Sequence, residues 1–159
     1  MRVLGVDPSL HVTGYGVVET RDAALKLVEG GVISPGKNAG LAERLAELQR
    51  GINEVIQTLR PDAMVVEEVF SQTAYPRTAI LMAHARGALV CAAALAGIPV
   101  YDLAPTAVKR ALVGRGAATK EQVASMVVQG LGLRKRPAPA DVTDALALAI
   151  AYLRRNGRR

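Results

Sequence analysis

Short apolar runs and one long amphipathic stripe dominate the pattern of hydrophobic and polar residues. The apolar run Val3–Asp7 ends in a carboxylate, and a second run over residues 63–69 passes through Glu67 and Glu68. Apolar runs of this length are typical of buried strands. Three further segments have strand-like composition: 13–19, 25–33 and 98–103. The pattern therefore predicts five strands.

An amphipathic helix is predicted between residues 41 and 59. Apolar residues recur there at spacings of three and four and lie opposite charged residues. The stripe comprises Leu41, Leu45, Leu48, Ile52, Val55, Ile56 and Leu59. Pro61 stops this helix. Four more helices are predicted, over 77–97, from Pro105 to Gly114, over 120–131 and over 141–155.

The connections between these elements predict the topology of the sheet. The first three strands follow one another closely, which is typical of an antiparallel meander. The fourth strand follows a helical crossover, so we expect it to lie parallel to the first. The chain is therefore predicted to have an α/β fold, with a mixed five-stranded sheet flanked by helices.

The second helix is unusual because residues 88–97 are apolar all round. Such a helix is expected to be buried on more than one side, either inside a thick domain or against another subunit. Arg86 and Pro99 bound the apolar run, which is too short to span a bilayer. Cys91 lies within it and is expected to be an inert core residue.

Length and composition indicate one soluble domain. The chain has 159 residues, of which 50% are hydrophobic, enough for a well-packed core. We expect a single domain over 1–155 and a basic, frayed tail over 156–159. The only cysteine cannot form an intramolecular disulfide, and the N-terminus has no apolar region of signal-peptide length. Both features indicate the cytoplasm.

The positive charge is concentrated in the C-terminal part. Residues 100–159 hold 11 basic and 4 acidic side chains, whereas residues 1–99 hold 9 basic and 10 acidic ones. A basic surface beside acidic residues suits a polyanionic substrate such as nucleic acid. A basic surface that serves only solubility is the alternative.

Carboxylates stand at the ends of three apolar elements. Asp7 and Glu67 end two strands, and Asp141 and Asp144 open the last helix on one face. Sites of open α/β sheets lie at the C-terminal ends of parallel strands. Divalent cations take carboxylate oxygens and offset the repulsion among clustered acids. Glu67 and Glu68 point to opposite faces of the strand, so only one of them can face the site. Glu67 is preferred because it shares its face with Val65 and Val69.

Each acid also has a structural interpretation. Asp7 precedes Pro8 and Ser9, a sequence typical of a turn. Asp141 and Asp144 stand where helix capping and the helix dipole favour acid. The coincidence of all these positions favours the metal site.

The segment before Lys120 is a second candidate for phosphate binding. Residues 114–120 lack the Gly-Lys-Ser/Thr of a nucleotide-binding loop. Thr119 and Gln122 have the spacing of a capping box, and helix-start amides together with Lys120 could hold a phosphate. His11 and His84 have no metal-ligand spacing.

Seven short motifs resemble the RuvC family of Holliday-junction resolvases over nearly the whole chain. They are Leu4-Gly-Val-Asp7-Pro8, Thr13-Gly-Tyr-Gly-Val-Val18, Val65-Val-Glu67-Glu-Val-Phe70, Ala85-Arg-Gly87, Val108-Lys109-Arg-Ala-Leu-Val-Gly114, Lys120-Glu-Gln-Val123 and Asp141-Val-Thr-Asp144-Ala-Leu-Ala147. The resemblance implies an RNase H-like fold, a homodimer, and cooperation with the RuvA and RuvB branch-migration proteins.

The resemblance also implies roles for individual residues. The family's metal-binding acids match Asp7, Glu67, Asp141 and Asp144, which would hold two Mg²⁺ per subunit, with Mn²⁺ as a substitute. Its junction-contacting aromatic matches Phe70. Its functional lysines match Lys109 and Lys120, and Lys120 is expected to stabilise charge at the scissile group. Arg77 and Arg115 are expected to bind DNA phosphates.

The implied activity is symmetric, Mg²⁺-dependent hydrolysis of two strands of a four-way junction, which leaves 5′-phosphate and 3′-hydroxyl ends. Two departures from the family pattern are visible. Ser9 replaces a usual glycine, and the loop after Phe70 carries Tyr75-Pro76 and one extra residue.

Two alternatives remain at this point, and a third is disfavoured by the length of the chain. One is an RNase H-like nuclease that processes RNA, and another is a catalytically silent junction-binding protein. A sugar kinase or actin-type ATPase would need two such domains, for which 159 residues do not suffice.

Overall fold

The computed structural model describes residues 1–68 and 76–156. One five-stranded sheet lies between two groups of helices. The strands are β1 (Arg2–Asp7), β2 (Thr13–Arg21), β3 (Ala24–Ile33), β4 (Ala63–Glu67) and β5 (Val100–Leu103). The helices are α1 (Leu41–Leu59), α2 (Pro76–Leu95), α3 (Pro105–Val113), α4 (Lys120–Gly130) and α5 (Ala140–Asn156).

The sheet has the strand order β3-β2-β1-β4-β5. The first three strands form an antiparallel meander, and β4 and β5 continue the sheet in parallel with β1. The predicted mixed sheet is therefore confirmed. The helical crossover α1 allows β4 to run in the same direction as β1, as parallel pairing requires.

Each face of the sheet carries its own apolar core. Val3 contributes to the face covered by α3, α4 and α5, whereas Leu4 and Val6 contribute to the face covered by α1 and α2. This division follows from the alternation of side chains along a strand. Helix α5 is buried at every residue from Ala145 to Leu153 and forms the centre of the first core.

Most of the amphipathic stripe predicted for α1 packs as expected, but Leu41 in its first turn is 42% exposed. Leu48, Ile52, Val55 and Ile56 are buried against the sheet. Gly40 caps the N-terminus of α1, and its backbone N–H donates to the Glu43 side chain. Arg60 caps the C-terminus in a left-handed conformation.

Helix α2 is less buried inside the domain than the sequence predicts. Its buried residues are Ala85, Leu89, Ala92 and Ala93, while Ile80 is 56% and Leu95 77% exposed. Burial inside a thick domain is therefore wrong for this helix, and so is the assignment of Cys91 to the core, because Cys91 is exposed. Helix α2 (Pro76–Leu95) is long and apolar enough to cross a membrane, judged only by its length and composition.

Candidate active site

Two acids occupy equivalent ends of neighbouring parallel strands. Val6 of β1 pairs with Val66 of β4, so Asp7 and Glu67 follow side by side. Both line a cavity of about 340 Å³. Glu68 is exposed and does not line it. This arrangement brings two carboxylates that are 60 positions apart in sequence to one edge of the sheet.

Helix α5 brings the other two acids to this edge. Asp144 lines the same cavity as Asp7 and Glu67. Asp141 lies one turn earlier, beside Gly14 of β2, where a Cβ atom would come within 2.8 Å of the Asp141 Cβ. Asp141 does not line the cavity, but its charge acts on Asp7. The structure therefore gathers all four acids around the end of β1, with Asp141 at the periphery.

Glycines allow α5 to approach the sheet this closely. A Cβ on Gly5 would overlap the carbonyl oxygen of Ala145, and one on Gly16 would lie 2.5 Å from the Leu146 side chain. These distances are shorter than real Cβ contacts. Glycine in a strand often marks such a close approach of another backbone. The glycines in the pattern Thr13-Gly-Tyr-Gly16 are a sequence signal of this close approach, although the pattern was interpreted above only as a strand.

The clustered acids resist ionisation. Burial, followed by repulsion from Glu67, Asp144 and Asp141, raises the pKa of Asp7 from 3.8 to about 7. Burial and repulsion from Asp144 also raise the pKa of Glu67. Nearby positive charge opposes both shifts, from Lys120 for Asp7 and from Lys120 and Lys109 for Glu67. The acids thus form a region that a cation would stabilise.

Two lysines on separate helices line the same cavity as the acids. Lys109 lies in α3, and Lys120 is the first residue of α4. The Nζ atom of Lys120 donates to Oδ2 of Asp144 at 3.3 Å, and this carboxylate raises the pKa of Lys120. The predicted capping box is confirmed, since Thr119 and Gln122 bond each other's backbone N–H. It defines where α4 begins and hence where Lys120 lies.

The acids have the donor chemistry of a divalent metal site. Within residues 1–68 and 76–156, no three Asp, Glu, His or Cys side chains are close enough to enclose an ion as they stand. The ammonium of Lys120 is instead the cation that contacts Asp144. Hard carboxylate oxygens and raised carboxyl pKa values nevertheless fit Mg²⁺, which prefers such ligands and offsets their repulsion.

Other residues expected to bind DNA lie outside the cavity. Arg77 is exposed in the first turn of α2, and Arg115 is exposed between α3 and α4. Phe70 falls outside the described residues. His11 lies in the turn after β1 and His84 within α2, and neither lines the cavity.

Ser9 is accommodated in the turn after Asp7. Its backbone N–H donates to the Thr13 hydroxyl, which in turn donates to the Ser9 carbonyl at 2.7 Å. Over residues 1–68 and 76–156, the residues other than glycine with positive φ are Asp22, Ala23 and Arg60. Ser9 therefore adopts a backbone conformation that needs no glycine.

The sequence matches a known family over most of its length. The model of the family described as "Crossover junction endodeoxyribonuclease RuvC" matches residues 3–152. A curated protein with that name from Rhodopirellula baltica is 44% identical over 156 residues, which cover 97% of this chain and 88% of the relative.

Solved structures agree with this match. RuvC of Thermus thermophilus is 37% identical, with a TM-score of 0.88 over 99% of this chain and 97% of that one. A complex described as T. thermophilus RuvC with Holliday junction substrate aligns with a TM-score of 0.90 at 34% identity, over 99% and 96% of the two chains. The fold is therefore RNase H-like, and the chain belongs to the RuvC family of crossover junction endodeoxyribonucleases, enzymes that hydrolyse DNA.

Proposed function

We propose that this protein resolves four-way Holliday junctions in homologous recombination and DNA repair. It cuts two strands symmetrically and leaves 5′-phosphate and 3′-hydroxyl ends. The proposal rests on one observation: Asp7, Glu67 and Asp144 line a single cavity together with Lys109 and Lys120. The T. thermophilus relative solved with junction DNA supports the substrate class.

Mg²⁺ is the cofactor that we assign to this cavity, with two ions per subunit and Mn²⁺ as a substitute. The residues that would hold them are Asp7, Glu67, Asp141 and Asp144, through carboxylate oxygens. When bound, the ions would activate water for attack on phosphorus and stabilise the leaving 3′ oxygen.

Lys120 and Lys109 carry separate parts of the mechanism. Lys120 compensates the charge of Asp144 in the free protein, and beside a scissile phosphate it stabilises the negative charge that develops during cleavage. Lys109 lowers the pKa of Glu67 and so favours its ionised, ligand-competent form. Its ammonium also binds a phosphate of the strand in the cavity.

Residues around the cavity would hold the junction in place. Phe70 stacks on an unpaired base at the opened crossover, since bases stack on aromatic side chains. Arg77 and Arg115 are exposed and bind phosphates away from the cut, which positions the DNA without reading its sequence.

A homodimer would place two such sites on one junction. The exposed apolar residues of α2, with Ile80 at 56% and Leu95 at 77% exposure, support this arrangement. Exposed apolar surface beyond scattered single residues often marks a protein interaction site, and a second copy would remove these side chains from water. Two similarly directed subunits cut strands of like polarity, which yields ligatable nicks.

We assign the nuclease activity to a single domain over residues 1–155, with 156–159 as a basic tail. We further propose that it works in the cytoplasm with the RuvA and RuvB branch-migration proteins. Family membership supports the partners, and the single cysteine in the chain is compatible with a reducing compartment.

Cleavage of a labelled synthetic four-way junction tests this function. The wild-type protein and Asp7→Asn are compared in Mg²⁺, with the matching linear duplex as the control substrate. We expect symmetric, ligatable nicks in the junction alone, and we expect the variant to bind the junction without cutting it.

Two results would contradict the proposal. Cutting of an RNA substrate in preference to the junction would assign the protein to RNA processing. If folded wild-type protein binds several junctions but cuts none of them in Mg²⁺ or Mn²⁺, it is a silent junction-binding protein.

A further inference from the structure

A second cavity lies at the C-terminal end of α5, whereas the acids lie near the N-terminal end of the same helix. Its volume is about 810 Å³, and it lies between the β2–β3 hairpin, α3 and the end of α5. We call it the arginine groove; Arg110, Arg154, Arg155, Leu25, Ala111 and Leu153 form most of its lining. In α5, Arg154 follows Asp144 by ten residues, which corresponds to about 15 Å along the helix axis.

The positive charge of the groove is not neutralised by the described residues. The ion pairs within residues 1–68 and 76–156 involve Arg2, Arg86, Lys120 and Arg136, and none of the groove arginines. Among the residues that the structure describes, no Asp or Glu lines the cavity. Residues 69–75 and 157–159 contain no acidic side chain. The groove is therefore a concentrated positive region.

Arg154 is held in a defined position at this site. Its Nη1 atom donates to the carbonyl oxygens of Ala111 at 3.4 Å and Leu112 at 3.2 Å, near the end of α3. A guanidinium group has five N–H donors, so most of them stay available. Such a preorganised fork suits the planar, bidentate recognition of a carboxylate or phosphate.

The walls between the arginines are apolar. Leu153 is buried, and Leu25 and Ala111 pack against the same core while remaining partly accessible. A ligand that fills this cavity must offer apolar as well as anionic groups. The DNA backbone presents phosphates joined to deoxyribose, whereas an acidic peptide can place a carboxylate and a fully apolar leucine or phenylalanine side chain on neighbouring residues.

We propose that the arginine groove binds an acidic peptide segment of a partner protein. Its carboxylates contact Arg110, Arg154 and Arg155, and an apolar side chain packs on Leu25, Ala111 and Leu153. The groove and the acid cavity lie at opposite ends of α5, so we expect the peptide to bind without filling the acid cavity. The inference does not depend on the cleavage mechanism proposed above.

Fluorescence anisotropy with a synthetic peptide tests this proposal on the full-length chain. The probe is a labelled nine-residue peptide that alternates aspartate with leucine, and its control has asparagine in place of each aspartate. The variants are Arg110→Glu and Arg155→Glu, since both side chains are exposed. Arg154 is left unchanged because it also bonds α3. Arg50→Glu, on the exposed side of α1, makes the same charge change elsewhere.

We expect each groove variant to weaken peptide binding by about tenfold or more, as for the loss of one charge-assisted hydrogen bond. Arg50→Glu is expected to change binding less than about twofold, in keeping with a distant screened charge. The asparagine peptide should bind poorly to every form. Junction cleavage by the groove variants should match wild type, which also verifies their folding.

Several outcomes would overturn the proposal. The first is that the wild-type protein does not bind the peptide. The second is that Arg50→Glu loses as much peptide affinity as the groove variants, because binding would then follow net charge alone. A larger effect of the groove variants on a 12-nucleotide single-stranded DNA than on the peptide would make the groove a nucleic-acid site.

Discussion

Gly5 of β1 lies directly under Ala145 of α5, so close that a Cβ atom would overlap the Ala145 carbonyl oxygen. It would also lie 2.9 Å from the backbone nitrogen of Ala149. Neither neighbour is a flexible side chain that could move aside. This contact sets the height of α5 above the sheet, and therefore the distance of Asp144 from Asp7.

Gly5→Ala is expected to destabilise the protein and reduce cleavage. The added methyl group must push α5 away from β1, and overpacking of this kind costs about 1–3 kcal/mol. Urea denaturation measures the loss, and junction cleavage reports the displaced Asp144. Gly36→Ala is the matched control, because its Cβ would make only ordinary contacts at 3.7 Å and beyond. Equal stability of Gly5→Ala and wild type would contradict the packing argument.

Asp7→Asn is expected to stabilise the protein at high pH when metal is absent. The pKa of Asp7 rises from 3.8 to about 7 on folding, so the folded state binds a proton that the unfolded chain has released. Stability therefore falls as pH rises through this interval. At pH 8 the variant should be more stable by up to about 4 kcal/mol, and the difference should vanish below about pH 4.

Urea denaturation in a chelating buffer at both pH values measures this effect. Asp22→Asn, at an exposed turn away from the acids, is the matched substitution with which the result is compared. A variant less stable than wild type at pH 8 would show that Asp7 has a favourable contact in the folded protein.

Lys120→Gln is expected to lower the rate of cleavage more than the affinity for the junction. The neutral side chain cannot stabilise negative charge in the transition state, and the loss of one such group costs about 10²–10³ in kcat. Single-turnover cleavage and binding titrations separate the two effects. Arg136→Gln is the control, because it removes a comparable cation from the exposed ion pair with Glu121. A loss of affinity with unchanged kcat would make Lys120 a DNA-binding residue only.

Ile80→Glu is expected to dissociate the proposed dimer. Ile80 is 56% exposed on the apolar face of α2, where an ionised carboxylate would be buried against the partner without compensation. Sedimentation velocity should show a monomer, and paired cutting of the junction should be lost. Leu41→Glu is the control, since Leu41 is 42% exposed on α1. If wild type is itself monomeric at the working concentration, the dimer through α2 is wrong.

Much of the architecture could be predicted from local pattern. The stripe of α1 has the helical period, and its central residues, Leu48, Ile52, Val55 and Ile56, are buried as that period requires. The acids at Asp7 and Glu67 follow apolar strands, and parallel pairing places them together. The environment of α2 was harder to predict. Its apolar sequence indicates that exposure to water is unfavourable, but it does not indicate which surface covers the helix. Its exposed face became visible only in the fold.

The sequence by itself determined the strand and helix types, the mixed sheet and the position of acid at the ends of apolar elements, because periodicity and strand connections are local properties. Tertiary structure decided how these parts meet. The contact of Gly5 with Ala145 and the pairing of Lys120 with Asp144 join residues far apart in the chain. Such contacts depend on the packing of α4 and α5 against the sheet. That packing also brings together the three arginines of the second cavity, which no local pattern indicates.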